Sequence, residues 1–193
     1  MAGLHTGQQP SPWLQRWAHL LPAAGRVLDV ACGSGRHLRW LAARGLQPTG
    51  IDRDSTALAV SQDLVLAGQA TLINADIENG AWPCRGQQFD AVLVFNYLWR
   101  PLWPQLLASL APGAVLVYET FAAGNEAVGK PSRPDFLLQP GELLQRCASL
   151  RVVAYEDGYL DNPPRFVQRL VALAPTPAAS PAPRHHLRPP GAA

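Results

Sequence analysis

Between residues 26 and 117 the chain alternates short, nearly continuous apolar runs with stretches whose apolar residues recur every three or four positions. Arg26–Ala31, Leu46–Asp52, Ala70–Asn74, Phe89–Phe95 and Ala114–Thr120 have the length and apolar character of strands, whereas Arg36–Arg44, Ser55–Ala67 and Pro101–Leu110 carry the helical period. Strands that are apolar throughout must be covered on both faces. Alternation with helices therefore predicts an α/β fold, doubly wound, with a mostly parallel sheet joined by right-handed crossovers. Gly45, Gly68 and Gly113 punctuate the predicted helix ends as C-terminal caps would.

The flanks extend this frame. Ser11-Pro12-Trp13 opens a predicted helix to Leu21, with Ser11 as N-cap and Pro12 at the first helical position, where its missing N–H costs nothing. Trp13, Trp17, Leu20 and Leu21 share one face, which suits either packing on the core or a lid whose tryptophans or Arg16 touch a ligand. Phe121–Leu138 has no clear period, and its apolar ends predict an ordered loop of the kind that is usually functional. A helix follows over Pro140–Ala148. Leu150–Tyr159 and Phe166–Leu173, separated by a Pro-Pro turn, predict an antiparallel pair at the sheet's end and bring the strand number to seven.

Composition sharpens the boundaries. Of the 19 prolines, six fall in the last nineteen residues with five alanines, so 175–193 reads as a low-complexity, disordered tail, 26–174 as one domain and 1–25 as an N-terminal helical segment. The net charge of +2 comes from Arg184 and Arg188 in that tail; the body is balanced and presents no basic face, which argues against nucleic acid as a partner. Cys32, Cys84 and Cys147 are odd in number and match no metal-ligand spacing, so a reducing compartment is expected and no metal. No basic leader or run of about 18 apolar residues is present, so a cytoplasmic protein with no membrane contact is the expectation.

The chemistry concentrates at strand ends. Val27-Leu28-Asp29-Val30-Ala31-Cys32-Gly33-Ser34-Gly35-Arg36-His37 reads as strand, glycine turn and helix start, in which Gly33 and Gly35 let backbone approach a ligand and the helix start offers free N–H groups. A dinucleotide fingerprint wants a third glycine at position 38, where this chain has leucine. Asp29 lies inside a buried strand and needs a partner. Asp52 ends the second strand, where an acid can accept both ribose hydroxyls, and Asp76 follows the third, where it can receive an adenine amino group with Ile77 against the ring.

The order Asp29-x-x-x-Gly33-x-Gly35, Asp52, Asp76 resembles the class I S-adenosylmethionine-dependent methyltransferases over about Arg26 to Leu173. That resemblance implies a Rossmann-like methyltransferase fold whose last strand is antiparallel, S-adenosylmethionine as cofactor, and methyl transfer to a small-molecule acceptor: a thiol, an oxyanion or a phenol. It assigns the cofactor to Asp29, Ala31, Gly33, Gly35, Asp52, Arg53, Asp76, Ile77 and Asn96, with Asn96 also at the methyl-transfer site. Ala31 stands where many members carry a further glycine. Ser11-Pro12-Trp13, Cys32 to His37 and Glu119-Thr120-Phe121 with Gly124-Asn125-Glu126 are further similar to bacterial small-molecule methyltransferases akin to the tellurite-resistance group.

Each site residue has a plainer alternative. The alternatives are that Asp29 holds the glycine turn, Asp76 closes an Asx turn, Cys32 is a small buried residue and His37 packs or faces solvent. Glu119 is a candidate to orient or deprotonate an acceptor, and Lys130 and Arg133 to hold an anionic one. Asn162-Pro163-Pro164-Arg165 resembles the Asn-Pro-Pro-aromatic motif of nitrogen methyltransferases, but it lies between the last two strands and is expected far from the end of the fourth. A nucleotide-dependent oxidoreductase and a non-catalytic methyltransferase-like interaction module are the competing readings.

Overall fold

The computed structural model describes residues 9–176 and 184–188 of the chain. Helix α1 (Pro12–Trp17) leads into a seven-stranded sheet: β1 (Arg26–Val30), β2 (Gln47–Asp52), β3 (Thr71–Asn74), β4 (Phe89–Phe95), β5 (Leu110–Phe121), β6 (Arg151–Asp161) and β7 (Pro164–Leu173). The spatial order is β3-β2-β1-β4-β5-β7-β6, parallel except for β7, which runs antiparallel to both its neighbours. Helices α2 (Arg36–Ala42), α3 (Ser55–Ala59), α4 (Gln62–Leu66), α5 (Trp103–Ala108) and α6 (Glu142–Arg146) complete the crossovers. The fold is the α/β class expected.

Both sheet faces are covered, which is why the central strands show no polar alternation. On one face Leu28, Val30, Val92, Val94 and Leu116 pack under α5 and α6; on the other Val27, Ala91, Leu93 and Val117 meet Trp13 and Trp17 of α1. The Ser11 hydroxyl caps α1 by accepting from the Trp13 amide at 3.1 Å, and Pro12 occupies the first turn. Arg16 points away from the core and its Nη1 donates to Glu156 at 2.8 Å. The helix is therefore part of the packed body.

Three local expectations are corrected. The helix over Ser55–Ala67 is two, α3 and α4, because Ser61 turns inward, fully buried, to donate from Oγ to the Ser34 carbonyl at 2.8 Å. The stretch Pro101–Leu110 is a 3-10 turn followed by α5, and Leu110 already belongs to β5, paired with Phe89. Gly113, expected as a helix cap, sits inside β5 with φ of 79°, next to the register shift that separates the Phe89 and Ala91 pairings. The tail, where expected from 175 on, lies largely outside the described residues; within it the His186 carbonyl is 2.9 Å from His19 Nε2.

Gly50 explains how α2 approaches the sheet. A Cβ there would sit 2.6 Å from Leu38 Cδ1 and 2.7 Å from Cys32 Sγ, so the bulk is on the helix and the gap on β2. Gly50→Ala should cost about 1–3 kcal/mol by overpacking and lower the melting temperature by roughly 2–10 °C. Gly50→Ala combined with Leu38→Ala should behave less badly than the two losses summed, which thermal melts of the three variants will read.

Candidate active site

The turn after β1 builds the floor of the site. Ala31, Gly33 and Gly35 have φ of 54°, 56° and 77°, so alanine at 31 adopts the left-handed backbone that a glycine would take more readily. Cross-links hold it there: the Cys32 amide donates to Ile51 O at 3.0 Å and the Gly33 amide to Asp52 Oδ2 at 2.7 Å. Asp52 Oδ1 accepts from the Asp54 amide at 2.9 Å. The acid at the end of β2 thus spends one lone pair of each oxygen on backbone and keeps the other for a ligand.

A cleft of about 380 Å³ opens at the C-terminal ends of β1, β2, β3 and β4, lined by Ala31, Asp52, Arg53, Asp76, Ile77 and Asn96 among others. Six of the nine cofactor positions implied by the resemblance come together there. The other three do not line it. Gly33 and Gly35 belong to the adjoining turn, and Asp29 is only 1% exposed, turned to the α1 side of the sheet with its Oδ2 3.4 Å from His37 Nδ1. His37 is buried too; the Ser11 amide donates to its Nε2 at 3.3 Å and its ring meets Phe95 at 4.4 Å. Cys32 is buried beside Asp29 and Asp52, and burial with these charges pushes its thiol up, away from nucleophilic reactivity.

At the cleft's outer end Asp76 forms an Asx turn, its Oδ1 accepting from the Glu78 and Asn79 amides at 3.0 and 3.2 Å. The Asn79 side chain and these amides hold its carboxyl below the usual range. Glu78 and Tyr97 also line this end and were not singled out from the sequence, since nothing local distinguishes them. Burial, then the Glu78 carboxylate, push the Tyr97 phenol up.

The other end is closed by Thr120, Phe121, Pro131 and Phe136, so the loop after β5 contributes its apolar residues. Its cations do not enter: Lys130 does not line the cleft, and Arg133 is exposed and bonded to Asp135 at 2.9 Å. The loop is anchored by Arg100, which donates from Nε and Nη2 to the two oxygens of Glu142, both at 2.8 Å, and to the Asp135 and Leu137 carbonyls at 2.7 and 2.9 Å. Neither partner was legible, since 42 residues separate them.

Glu119, at the end of β5, lines a different cavity on the α1 side, shared with Asn96. Both of its oxygens are engaged: Oε1 lies 3.4 Å from Arg165 Nη2, and Oε2 meets the Ser11 hydroxyl at 3.4 Å and Arg169 Nη1 at 3.7 Å. Asn162, Pro163 and Arg165 line the same cavity, so the tetrad expected far from the end of β4 is beside it. The reason is sheet order: β7 pairs directly with β5, which pairs with β4.

Residues 27–112 match the family model of the methyltransferase domain. Over that stretch, somewhat less than half of its length, the chain is similar to a methyltransferase domain. It is 36% identical over 107 residues to trans-aconitate 2-methyltransferase of Paracidovorax citrulli, covering 51% of this chain and 40% of that one. Over 125 residues it is 34% identical to the tRNA U34 carboxymethyltransferase of Methylococcus capsulatus, covering 60% and 38%. The chain thus spans about two-fifths of the length of these curated relatives. Among solved structures, TehB from Haemophilus influenzae superposes with a TM-score of 0.66 at 17% identity over 81% of this chain and 60% of that one, which shows the shared fold. The cofactor that this similarity implies is S-adenosylmethionine, and the donor set fits it: Asp52 and Asp76, at two adjacent strand ends, line the cleft together with the apolar Ile77 and with Ala31 of the left-handed turn. The third glycine of a dinucleotide turn is replaced by Leu38, whose side chain packs on Gly50 of β2.

The Arg100–Glu142 pair yields two expectations. Burial pushes the Glu142 carboxyl up, but the Arg100 hydrogen bonds, the Gln139 amide and the Arg100 and Arg146 charges outweigh it and leave it below the ordinary 4.5. A depressed folded value stabilises the native state above pH 4.5 and loses that contribution as the pH falls through the lower folded value. Melts from pH 7 to pH 3 should therefore show an acid loss that Glu142→Gln reduces. Arg100→Met leaves Glu142 without its main partner and should cost about 1–3 kcal/mol, with faster amide exchange over residues 135–138.

Proposed function

We propose that the protein transfers a methyl group from S-adenosylmethionine to a small-molecule acceptor. The observation that carries this reading is the cleft at the ends of β1 to β4, in which Asp52 is tied to the β1–α2 turn and keeps acceptor capacity toward a ligand. When bound, the cofactor supplies a methyl group on a sulfonium, an already activated leaving group, so the protein's work is placement and exclusion of water.

In this reading Asp52 accepts from the ribose hydroxyls, with Arg53 at its rim. Asp76 accepts from the adenine amine while Ile77 packs on the ring. Ala31 and the turn through Gly33 and Gly35 shape the methionyl end, with Asp29 supporting that turn from behind through His37. Asn96, whose φ of 55° turns its side chain out of the end of β4, lines both cavities and stands at the methyl-transfer point. Phe121 and Phe136 keep that end dry. For Glu119 we assign orientation of acceptor-side groups rather than proton removal, because cations and the Ser11 hydroxyl already engage both its oxygens.

The charge-balanced body supports a small molecule over a nucleic acid as acceptor. Three free, buried cysteines support a reducing, cytoplasmic setting. Among the described residues no helix is long and apolar enough to cross a membrane.

Asp52→Ala should weaken S-adenosylhomocysteine binding by about 1.5–3 kcal/mol, the worth of a charge-assisted hydrogen bond. Calorimetry reads this directly, with Asp52→Asn as a milder, isosteric variant that keeps one of the two turn contacts, because its single oxygen can accept from only one of the Gly33 and Asp54 amides. Unchanged affinity in both variants would count against the assignment. Turnover is read as S-adenosylhomocysteine formed with a panel of thiols, phenols, carboxylates and amines.

A further inference from the structure

The second cavity has a volume of about 580 Å³ and is walled by residues that, Asn96 apart, do not line the cofactor cleft: the Gln9–Pro12 segment, Arg36 at the start of α2, Glu119 of β5 and the β6–β7 hairpin. It meets the cleft at Asn96, which lines both. That volume lies in the ~300–1,000 Å³ range of sites that enclose whole small molecules, and a carboxylate at the tip of a cofactor would need only a recess.

Its charges are unbalanced toward the positive. Glu119 is shared by Arg165 and Arg169, and Arg169 is bonded in turn to Glu156, which also holds Arg16. Asp29 faces His37. Glu119 is thus committed to Arg165 and Arg169, whereas the buried Asp29 Oδ2 has no hydrogen-bond partner and its charge acts on Arg36 without contact; among the described residues Arg36 has no ion-pair partner. Burial, with the Arg165 charge nearby, lowers the Arg36 guanidinium from its usual value despite the pull of Asp29 and Glu119. On the same wall Arg165 Nε is buried with no hydrogen-bond partner. Guanidinium groups stay charged at physiological pH, and desolvating them is costly unless an anion answers. Two of them on one cavity match a planar oxyanion, which accepts from such forks with two oxygens.

We propose that this cavity is the acceptor subsite and that Arg36 and Arg165 hold a carboxylate-bearing small molecule in it, so that the acceptor is anionic. The inference rests on the methyltransferase reading and narrows its substrate class. Glu119 is then a positioning residue that keeps the Arg165 fork at the wall, and the Gln9–Pro12 segment limits acceptor size. Cationic acceptors are disfavoured by the same charges.

The test titrates acetate, succinate and benzoate, and their neutral amides, into protein saturated with S-adenosylhomocysteine, by calorimetry with ligand-observed NMR for weak binders. At least one carboxylate should bind, and its amide at least about tenfold more weakly, the loss of a charge-assisted contact. Arg36→Gln should reduce carboxylate affinity by a similar factor, change S-adenosylhomocysteine affinity less than threefold and leave the melting temperature undiminished. Because Arg165 balances a buried acid, the paired variant Arg165→Gln with Glu119→Gln serves for the second guanidinium and should show the same loss. The proposal is overturned if no carboxylate binds, if the amides bind equally well, or if Arg36→Gln weakens S-adenosylhomocysteine tenfold while carboxylates bind only protein free of it. In that last case the arginines hold the cofactor's own carboxylate. If S-adenosylhomocysteine fails to bind while carboxylates still bind with Arg36 dependence, the anion subsite stands and the methyltransferase reading falls.

Discussion

The turn between β1 and α2 must reverse the chain at the centre of the sheet with three left-handed residues in five positions, and the rest of the site depends on it. One of the three is Ala31, for which that backbone costs roughly 1–2 kcal/mol relative to glycine's freedom. The conformation persists because neighbours over-determine it. The Gly33 amide is held by Asp52, the Cys32 amide by Ile51, and the Ser34 carbonyl by Ser61. The same contacts aim Asp52 into the cleft, so turn geometry and ligand geometry are one unit. They also explain the broken helix between β2 and β3, since Ser61 can reach Ser34 only if the chain bends at that point.

Behind this turn lies a buried polar chain that ties the N-terminal segment to the sheet. The Ser11 amide donates to His37 Nε2, which leaves the ring proton on Nδ1, facing Asp29. The Ser11 hydroxyl donates to Glu119. One serine therefore caps α1, orients a histidine and satisfies a carboxylate. Polar groups in a low-dielectric interior interact strongly and tolerate little rearrangement, so such a chain specifies where α1 sits more than it adds net stability. The Trp13 and Trp17 side chains supply the apolar burial that accompanies it.

The two ends of the long loop illustrate how a segment without period becomes ordered. Asn125 is buried, with its Nδ2 donating to Pro131 O and its Oδ1 accepting from the Phe166 amide. Arg100 takes two carbonyls from the far end and Glu142 from α6. Loop carbonyls that no helix or strand satisfies are met by two side chains, Asn125 and Arg100. The loop's apolar residues, Phe121 and Phe136, can then face the cleft without the loop collapsing into it.

Much of this was carried by local pattern. Continuous apolar runs alternating with helical periods specify a two-faced parallel sheet, Ser11-Pro12 specifies a helix start, and Asp52 and Asp76 lie at strand ends because strand ends are set by where the apolar run stops. Each of these depends on residues within one turn or one strand of each other. Asp29 was the ambiguous acid because inclusion in a buried strand gives it two faces to choose from, and the sheet placed it with Val27 toward α1. Tertiary structure alone decided the pairings at long separation: Arg100 with Glu142, Ser11 with Glu119, and the β6–β7 hairpin beside Asn96. It also decided that Lys130 and Arg133 stay outside while Arg36 and Arg165 wall a cavity. The place of the hairpin and of Arg165 follows from the insertion of β7 between β5 and β6, which brings distant strand ends together, and a local pattern of polar and apolar positions contains no information about which strands become neighbours.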